Sequence, residues 1–253
     1  EMVTGFQSFQ EWFRGFENQY IIIGGTACEL LMEEEDLSFR ATKDIDLVLI
    51  IEAMTPEFVK KFWEYILKGE YEHKDKGTER SHFYRFTNPK SKEYPYMIEL
   101  FSKKPENLLF HGDEVLTPIP VDEDISSLSA ILLNETYYEL LKDGQVLIEG
   151  IPVLRAECLI PFKAKAWLDL SERKSRGERI DSKSIRKHKN DVFRLTSLLV
   201  PNRRLVLEEE IQKDMRAFLA AMEHENIDLK SLGIKGSSQE KRIDLLYDYF
   251  GLR

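Results

Sequence analysis

The 253-residue chain has only two cysteines, Cys28 and Cys158. Neither sits in a Cys-x-x-Cys pair or at a Cys/His metal spacing. This argues against a disulfide framework or a thiolate metal centre and predicts two buried free thiols, as suits a reducing cytosol. No apolar run approaches the length of a membrane span, and no secretory apolar region opens the sequence, so a cytoplasmic location is expected. Cationic excess is missing as well. The 36 lysines and arginines face 45 acids, for a net charge of −9, which argues against indiscriminate nucleic-acid binding but leaves room for a local basic groove. No repeat at solenoid periods is present. What remains is 42% hydrophobic and 32% charged residues, ordinary for a globular chain with one large domain or two.

The most informative stretch runs from Tyr20 to Leu49. Tyr20 to Ile23 is a short β-branched run that predicts a buried strand. Gly24-Gly25 ends it, and Thr26 is expected to cap a helix whose apolar positions are Ala27, Leu30 and Leu31. Asp44-Ile45-Asp46 then opens a second strand, Leu47 to Ile51. Residues two apart in a strand share a face, roughly 6.5 Å from one another. Asp44 and Asp46 therefore point the same way while Ile45 points to the core. Two carboxylates so placed repel each other and resist desolvation unless a cation lies between them, and a divalent metal with substrate phosphates suits that arrangement. The glycine pair lets backbone approach a phosphate, and the helix N-terminus behind it favours an anion.

Gly24, Gly25, Asp44 and Asp46 together resemble the signature of the DNA polymerase β-type nucleotidyltransferase superfamily, a Gly-Gly or Gly-Ser turn followed by an acid-x-acid strand. The narrower pattern Arg40-x-Thr42-x-Asp44-Ile45-Asp46 is similar to the first motif of the AbiEii/AbiGii family, the toxins of type IV toxin–antitoxin systems and their solitary relatives. The resemblance implies an α/β (α+β) fold, with a mixed-sheet nucleotidyltransferase domain flanked by helices and then an α-helical domain. The expected boundaries are 1–156 and 157–253, with the site in the cleft between them.

Phe6, Phe9, Phe13 and Phe16 predict an amphipathic first helix whose aromatic stripe is core packing. Thr55-Pro56 predicts the cap and first position of another helix, closed near Lys68-Gly69. A polar loop is expected over 71–80, strands over 82–86 and 94–101, a short strand over 115–121, a helix from about Ser126 to Leu141 and a hairpin from Gln145 to Leu154 across Glu149-Gly150. Beyond Glu157 the chain reads helical: 159–171, a polar loop over 173–184, 184–199, an amphipathic helix around Ile211 to Met222, a linker over 233–238 and a last helix marked by Ile243 to Phe250.

Within the strand ending at Phe101, Glu99 is one acid among four apolar residues. Such a carboxylate either lies at an exposed edge or serves a site. The superfamily carries a third acid on a later strand, and Glu99 matches that context. It would complete the metal cage or take the proton of the attacking hydroxyl. In the C-terminal part, Lys163 and Ala166 match the family's lysine–x–x–alanine helix, and Asp191 matches the leading aspartate of a later helix. Arg194 stands where many members carry a second acid. A lysine can hold the β- or γ-phosphate of a metal-bound triphosphate. The plain alternatives are a surface lysine at 163, with Lys165 as competitor, and a surface salt bridge from Asp191 to Lys187. His188 is expected at the surface or between helices, with no metal partner.

Between Lys163 and Lys189 there are ten lysines and arginines against four acids. This is either a solvated face or a groove for a polyanion. The expectation is thus a nucleotidyltransferase dependent on Mg²⁺ or Mn²⁺ that moves a nucleoside monophosphate from an NTP, ATP or GTP among them, to an acceptor hydroxyl. Asp44, Asp46 and Glu99 would hold metal. Gly24, Gly25, Thr26, Arg40, Thr42 and Lys163 would bind nucleotide, and Asp191 would join the catalytic set. The resemblance implies an RNA or tRNA 3′ end as acceptor and a cognate antitoxin as partner. The alternatives are transfer to a small molecule or protein, and a non-catalytic NTP-binding regulatory module.

Overall fold

The computed structural model describes residues 5–72, 85–102, 108–109, 115–116, 131–132 and 134–253. Its centre is a six-stranded mixed sheet. In chain order the strands are β1 (Tyr20–Ile23), β2 (Asp44–Leu49), β3 (Arg85–Thr87), β4 (Met97–Phe101), β7 (Gln145–Ile148) and β8 (Ile151–Leu154), arranged in space as β3-β4-β2-β1-β8-β7. A separate antiparallel pair joins β5 (Leu108–Leu109) to β6 (Val115–Leu116). The helices are α1 (Phe6–Trp12), α2 (Gly24–Glu34), α3 (Pro56–Lys68), α4 (Glu135–Asp143), α5 (Ala156–Ser175), α6 (Ser182–Leu195), α7 (Glu209–Met222) and α8 (Gln239–Tyr249). The fold is α/β in content, with mixed strand directions compatible with an α+β arrangement.

Register sets the two faces of the sheet. β1 and β2 are antiparallel, with Tyr20 opposite Leu49 and Ile23 opposite Asp46. β2 and β4 are parallel, which sets Asp46 beside Glu99. By alternation, Ile21, Ile23, Asp44, Asp46 and Glu99 share one face, while Tyr20, Ile22, Ile45 and Leu47 share the other. Against the second face lies the aromatic stripe of α1. The Phe13 ring is within 4.5–6.1 Å, centre to centre, of Phe9, Tyr20, Phe58, Phe62 and Tyr65. All six are buried. Fully burying one such side chain is worth about 1.5–3 kcal/mol, so this stripe anchors α1 and α3 to the sheet. Thr55 caps α3, its hydroxyl accepting from the Phe58 N–H at 3.3 Å, with Pro56 at the first position as expected.

One cluster of buried side chains runs from Phe6 to Leu252 and includes residues of α5, α6, α7 and α8. The hairpin across Glu149-Gly150 forms as expected. Its second strand joins the main sheet beside β1 in parallel, with Ile22 opposite Val153. Both cysteines are free and buried. Among the described residues, no helix is long and apolar enough to cross a membrane.

Several expectations are corrected. Thr26 does not cap α2. The helix starts two residues earlier at Gly24, and the Thr26 hydroxyl instead donates to the Asp44 carbonyl at 2.6 Å. The polar stretch 173–184 is not one loop, because α5 continues to Ser175 and α6 begins at Ser182. Its polarity belongs to exposed helix turns held by pairs such as Arg176 with Glu172 and by the Asp181 cap, which accepts from Lys183 N–H. The helix expected over 184–199 gives way to a 3₁₀ turn at Thr196–Leu198. The strand expected from Tyr94 begins at Met97, and β2 ends at Leu49 rather than Ile51. Of the helix expected from about Ser126, residues 131–132 are helical, and α4 follows as a separate helix from its Asn134 cap. Residues 126–130 lie outside the described residues, as do 73–80 of the expected loop, 82–84 of the expected strand and 117–121 of the next.

Candidate functional site

The carboxylate face of the sheet, the start of α2 and the facing sides of α5 and α6 enclose a cavity of about 170 Å³. Gly24, Gly25, Asp46 and Glu99 line it from the sheet side, and Phe162, Lys163, Lys187 and His188 from the helices. The volume is below the ~300–1,000 Å³ of typical ligand pockets. It is the size of a charged end group, such as a polyphosphate, whose remainder would lie outside.

Local backbone explains the glycines. Gly24 has φ +72°, the left-handed region open to glycine, and a Cβ there would collide with the Asp46 carboxylate. A Cβ on Gly25 would come within 2.7 Å of the Thr42 side chain. The turn is therefore packed against both the acid strand and the loop before it. Among the described residues, no side chain caps α2. Its first N–H groups are the unsatisfied donors that every helix start presents, and they favour a bound anion.

Asp46 and Asp44 stand one step apart on this face, and among the described residues no hydrogen-bond donor reaches either carboxylate. Burial and then the neighbouring Glu99 push Asp46 up to about 7; Lys163 and Lys187 only partly offset this. The same two causes, burial first, raise Asp44. Glu99 lies beside Asp46 but accepts from Arg85 Nε at 2.6 Å. Among the described residues, no three carboxylate, imidazole or thiol groups gather as a metal cage. The donor set nonetheless fits a hard divalent cation. Two carboxylates, Asp44 and Asp46, whose proton affinity is raised by burial and by the neighbouring Glu99, and which no donor among the described residues satisfies, are what such a cation relieves.

Behind the cavity, Asp191 is fully buried and accepts from three cations. Arg40 reaches it twice, Nη2 at 3.0 Å and Nε at 3.3 Å; Lys163 Nζ reaches it at 3.0 Å and Arg194 Nη1 at 3.3 Å. Burial alone would raise the Asp191 carboxyl, but Lys163 and Arg40 hold it well below the ordinary carboxylate range. Burial alone would lower the Lys163 ammonium, and the Asp191 charge outweighs it. Between Lys163 and Lys165, it is Lys163 that faces the cavity; Lys165 pairs with Asp214 and Asp169. The plain alternative for Asp191, a surface salt bridge to Lys187, is not found among the described residues, and Asp191 is buried.

A second set braces the loop before β2. The Thr42 hydroxyl donates to the Glu29 carboxylate and lies 3.4 Å from the Thr26 hydroxyl. Glu29 is 4% exposed on α2, and burial raises its carboxyl. Of the expected site residues, Gly24, Gly25, Asp46, Glu99 and Lys163 line the cavity. Thr26, Arg40, Thr42 and Asp191 stand behind it, and Asp44 continues its acidic face.

Glu29, Lys187 and His188 were not singled out for the site by the sequence. His188 has a buried Nδ1 without a partner among the described residues, and burial followed by repulsion from Lys163 lowers it to about 3. It is a neutral imidazole at physiological pH. Burial, then Arg40 and Lys163, also lowers Lys187. The available signal was helical spacing: both lie one turn before Asp191 on α6.

No protein-family model, no curated protein and no solved structure matches the chain.

Proposed function

We propose that the chain is a metal-dependent nucleotidyltransferase of the type its Gly-Gly and Asp-x-Asp elements resemble. The observation that carries this reading is the single cavity where the uncapped glycine start of α2, the carboxylates of β2 and β4, and the cations of α5 and α6 meet. Asp44 and Asp46, with Glu99 once released from Arg85, would hold Mg²⁺ or Mn²⁺. When bound, such an ion supplies charge neutralisation at the phosphates of an NTP. The N–H groups of Gly24 and Gly25 and the ammonium groups on the helix wall favour the polyphosphate.

In the transfer, the acceptor hydroxyl oxygen bonds to the α-phosphorus. The bond from that phosphorus to the α–β bridging oxygen breaks, and pyrophosphate leaves with the electron pair. A carboxylate of β2 or β4 takes the hydroxyl proton. Fixed positive groups beside the departing phosphates stabilise the developing charge, the larger part of such catalysis.

The proposed acceptor is an RNA 3′ end, approached over the exposed cations Arg179, Lys183 and Arg186, with an antitoxin protein as regulator. One observation favours a second reading, transfer to a small molecule or protein hydroxyl. Much of the basic stretch is already engaged internally, with Arg173 on Glu178, Arg176 on Glu172, Lys174 on Ser182 and Lys189 on Glu225.

Incubation with each α-³²P-labelled NTP, Mg²⁺ and total RNA tests both points. Label should pass to a discrete RNA with wild-type protein and not with the Asp44→Asn, Asp46→Asn double variant. Transfer to RNA should fall steeply with salt and with charge reversal at Arg179, Lys183 and Arg186. Transfer that ignores both identifies a small acceptor. Equal NTP and Mg²⁺ binding by wild type and double variant would end the nucleotidyltransferase reading.

A further inference from the structure

The cavity wall carries two lysines, and they stand in opposite situations. Lys163 is 5% exposed, and its ammonium is 3.0 Å from Asp191, a carboxylate with no exposure at all. That pair, with Arg40 from the loop before β2 and Arg194 from α6, joins three parts of the chain. Withdrawing the Lys163 ammonium towards a ligand would leave a buried carboxylate short of a partner, a costly exchange. Lys187 lies four residues before Asp191 on α6, one helical turn away and on the same face. It also lines the cavity, yet among the described residues no carboxylate or other acceptor pairs with it. By accessible area Lys187 is an exposed residue, while its ammonium end is drawn down by burial and crowded by Arg40 and Lys163.

The charge around it points the same way. Arg40, Lys163 and Arg194 share the one carboxylate of Asp191. The helix wall is therefore left with cationic excess, facing the uncapped start of α2 across a space the size of a polyphosphate. An anion between Lys187 and the Gly24-Gly25 turn would be met from both sides, by a point charge with no carboxylate partner among the described residues and by fixed N–H donors.

We propose that Lys187, rather than Lys163, is the side chain that binds the polyphosphate of the substrate, and that Lys163 is a structural tie spanning α5, α6 and the Arg40 loop. This rests on the nucleotidyltransferase reading and changes which residue contacts the ligand. The family-like lysine of α5 then keeps the wall in place, and a lysine outside any of the quoted motifs does the binding.

The test is calorimetric titration of inorganic tripolyphosphate, with Mg²⁺ present, into four proteins: wild type, Lys187→Met, Lys187→Arg and Lys163→Met. Melting curves are recorded alongside. Lys187 has no partner among the described residues, and burial and the neighbouring Arg40 and Lys163 work against its charge, so its replacement should not lower the melting temperature. Lys187→Met should bind about 10- to 100-fold more weakly, the scale of one lost charge-assisted contact, and Lys187→Arg should recover most of the affinity. Lys163→Met should melt earlier yet bind tripolyphosphate close to wild type while folded. Wild-type affinity in Lys187→Met, or an equal loss in folded Lys163→Met, overturns the assignment and leaves the nucleotidyltransferase reading standing. Failure of wild type to bind tripolyphosphate while Mg²⁺-NTP still binds also overturns the assignment alone. Failure to bind either removes both.

Discussion

Between its ordinary value of 3.8 and about 7, the Asp46 carboxyl keeps a proton in the folded chain that the unfolded chain has given up. Folded stability therefore falls as pH rises through that window, and the whole cost is present above it. Asp46→Asn should make the metal-free protein more stable at pH 8 by about 2–4 kcal/mol, seen as a later thermal transition, while it abolishes transfer. A variant less stable than wild type would show that the acid is not strained. His188 works in the opposite sense. Its folded value near 3 lies below its ordinary 6.5, so the stability it contributes is complete above pH 6.5 and is lost as pH falls towards 3. Because Asp46 opposes it over much of that range, the effect is best read as a difference. His188→Gln should lose less stability than wild type in urea titrations between pH 7 and pH 4. At this scale the sequence was informative where chemistry repeats at short spacing. Asp44, Asp46 and Gly24 are legible because a strand and a turn fix their relations locally. Glu29, Lys187 and His188 were not, since each takes its place at the site only when distant segments of the chain pack together.

Elements formed by local rules are the ones that sequence reading placed well. The Thr55-Pro56 start of α3, the Glu149-Gly150 hairpin and the phenylalanine stripe of α1 each need only a few adjacent residues. The 173–184 stretch misled because a helix turn exposed to water carries the same residues as a loop, and its pairs Glu172–Arg176 and Asp181–Lys183 N–H are invisible until the helix exists. The parallel docking of β8 beside β1 was likewise illegible, since more than a hundred residues separate the partners. The α1 stripe gives an element-scale prediction. Phe13 contacts five other rings in the buried cluster, so Phe13→Ala should destabilise the protein by about 3–5 kcal/mol, measured from the urea midpoint. The cavity lies on the opposite face of the sheet, so Mg²⁺-NTP affinity of the remaining folded protein should be unchanged.

For the molecule as a whole, the net charge of −9 conceals a cationic wall that only the tertiary structure assembles. Its keystone is Asp191. Asp191→Asn would leave Arg40, Lys163 and Arg194 without the carboxylate they share, at a cost of about 3–5 kcal/mol, and denaturant unfolding should report it. The Arg40→Ala, Asp191→Asn double variant should lose less than the sum of the two single variants, because both remove the same contact. Independent, additive losses would show that the loop and the helix are not coupled through it.

The same tie bears on inheritance. Arg40 and Asp191 are 151 positions apart in the chain, with Lys163 between them. A genetic crossover anywhere in the intervening stretch, between this gene and a diverged copy, would deliver a guanidinium from one parent and its carboxylate from another. Hybrids should survive only when both parents keep the pair, so the loop, α5 and α6 are expected to pass between lineages as one block.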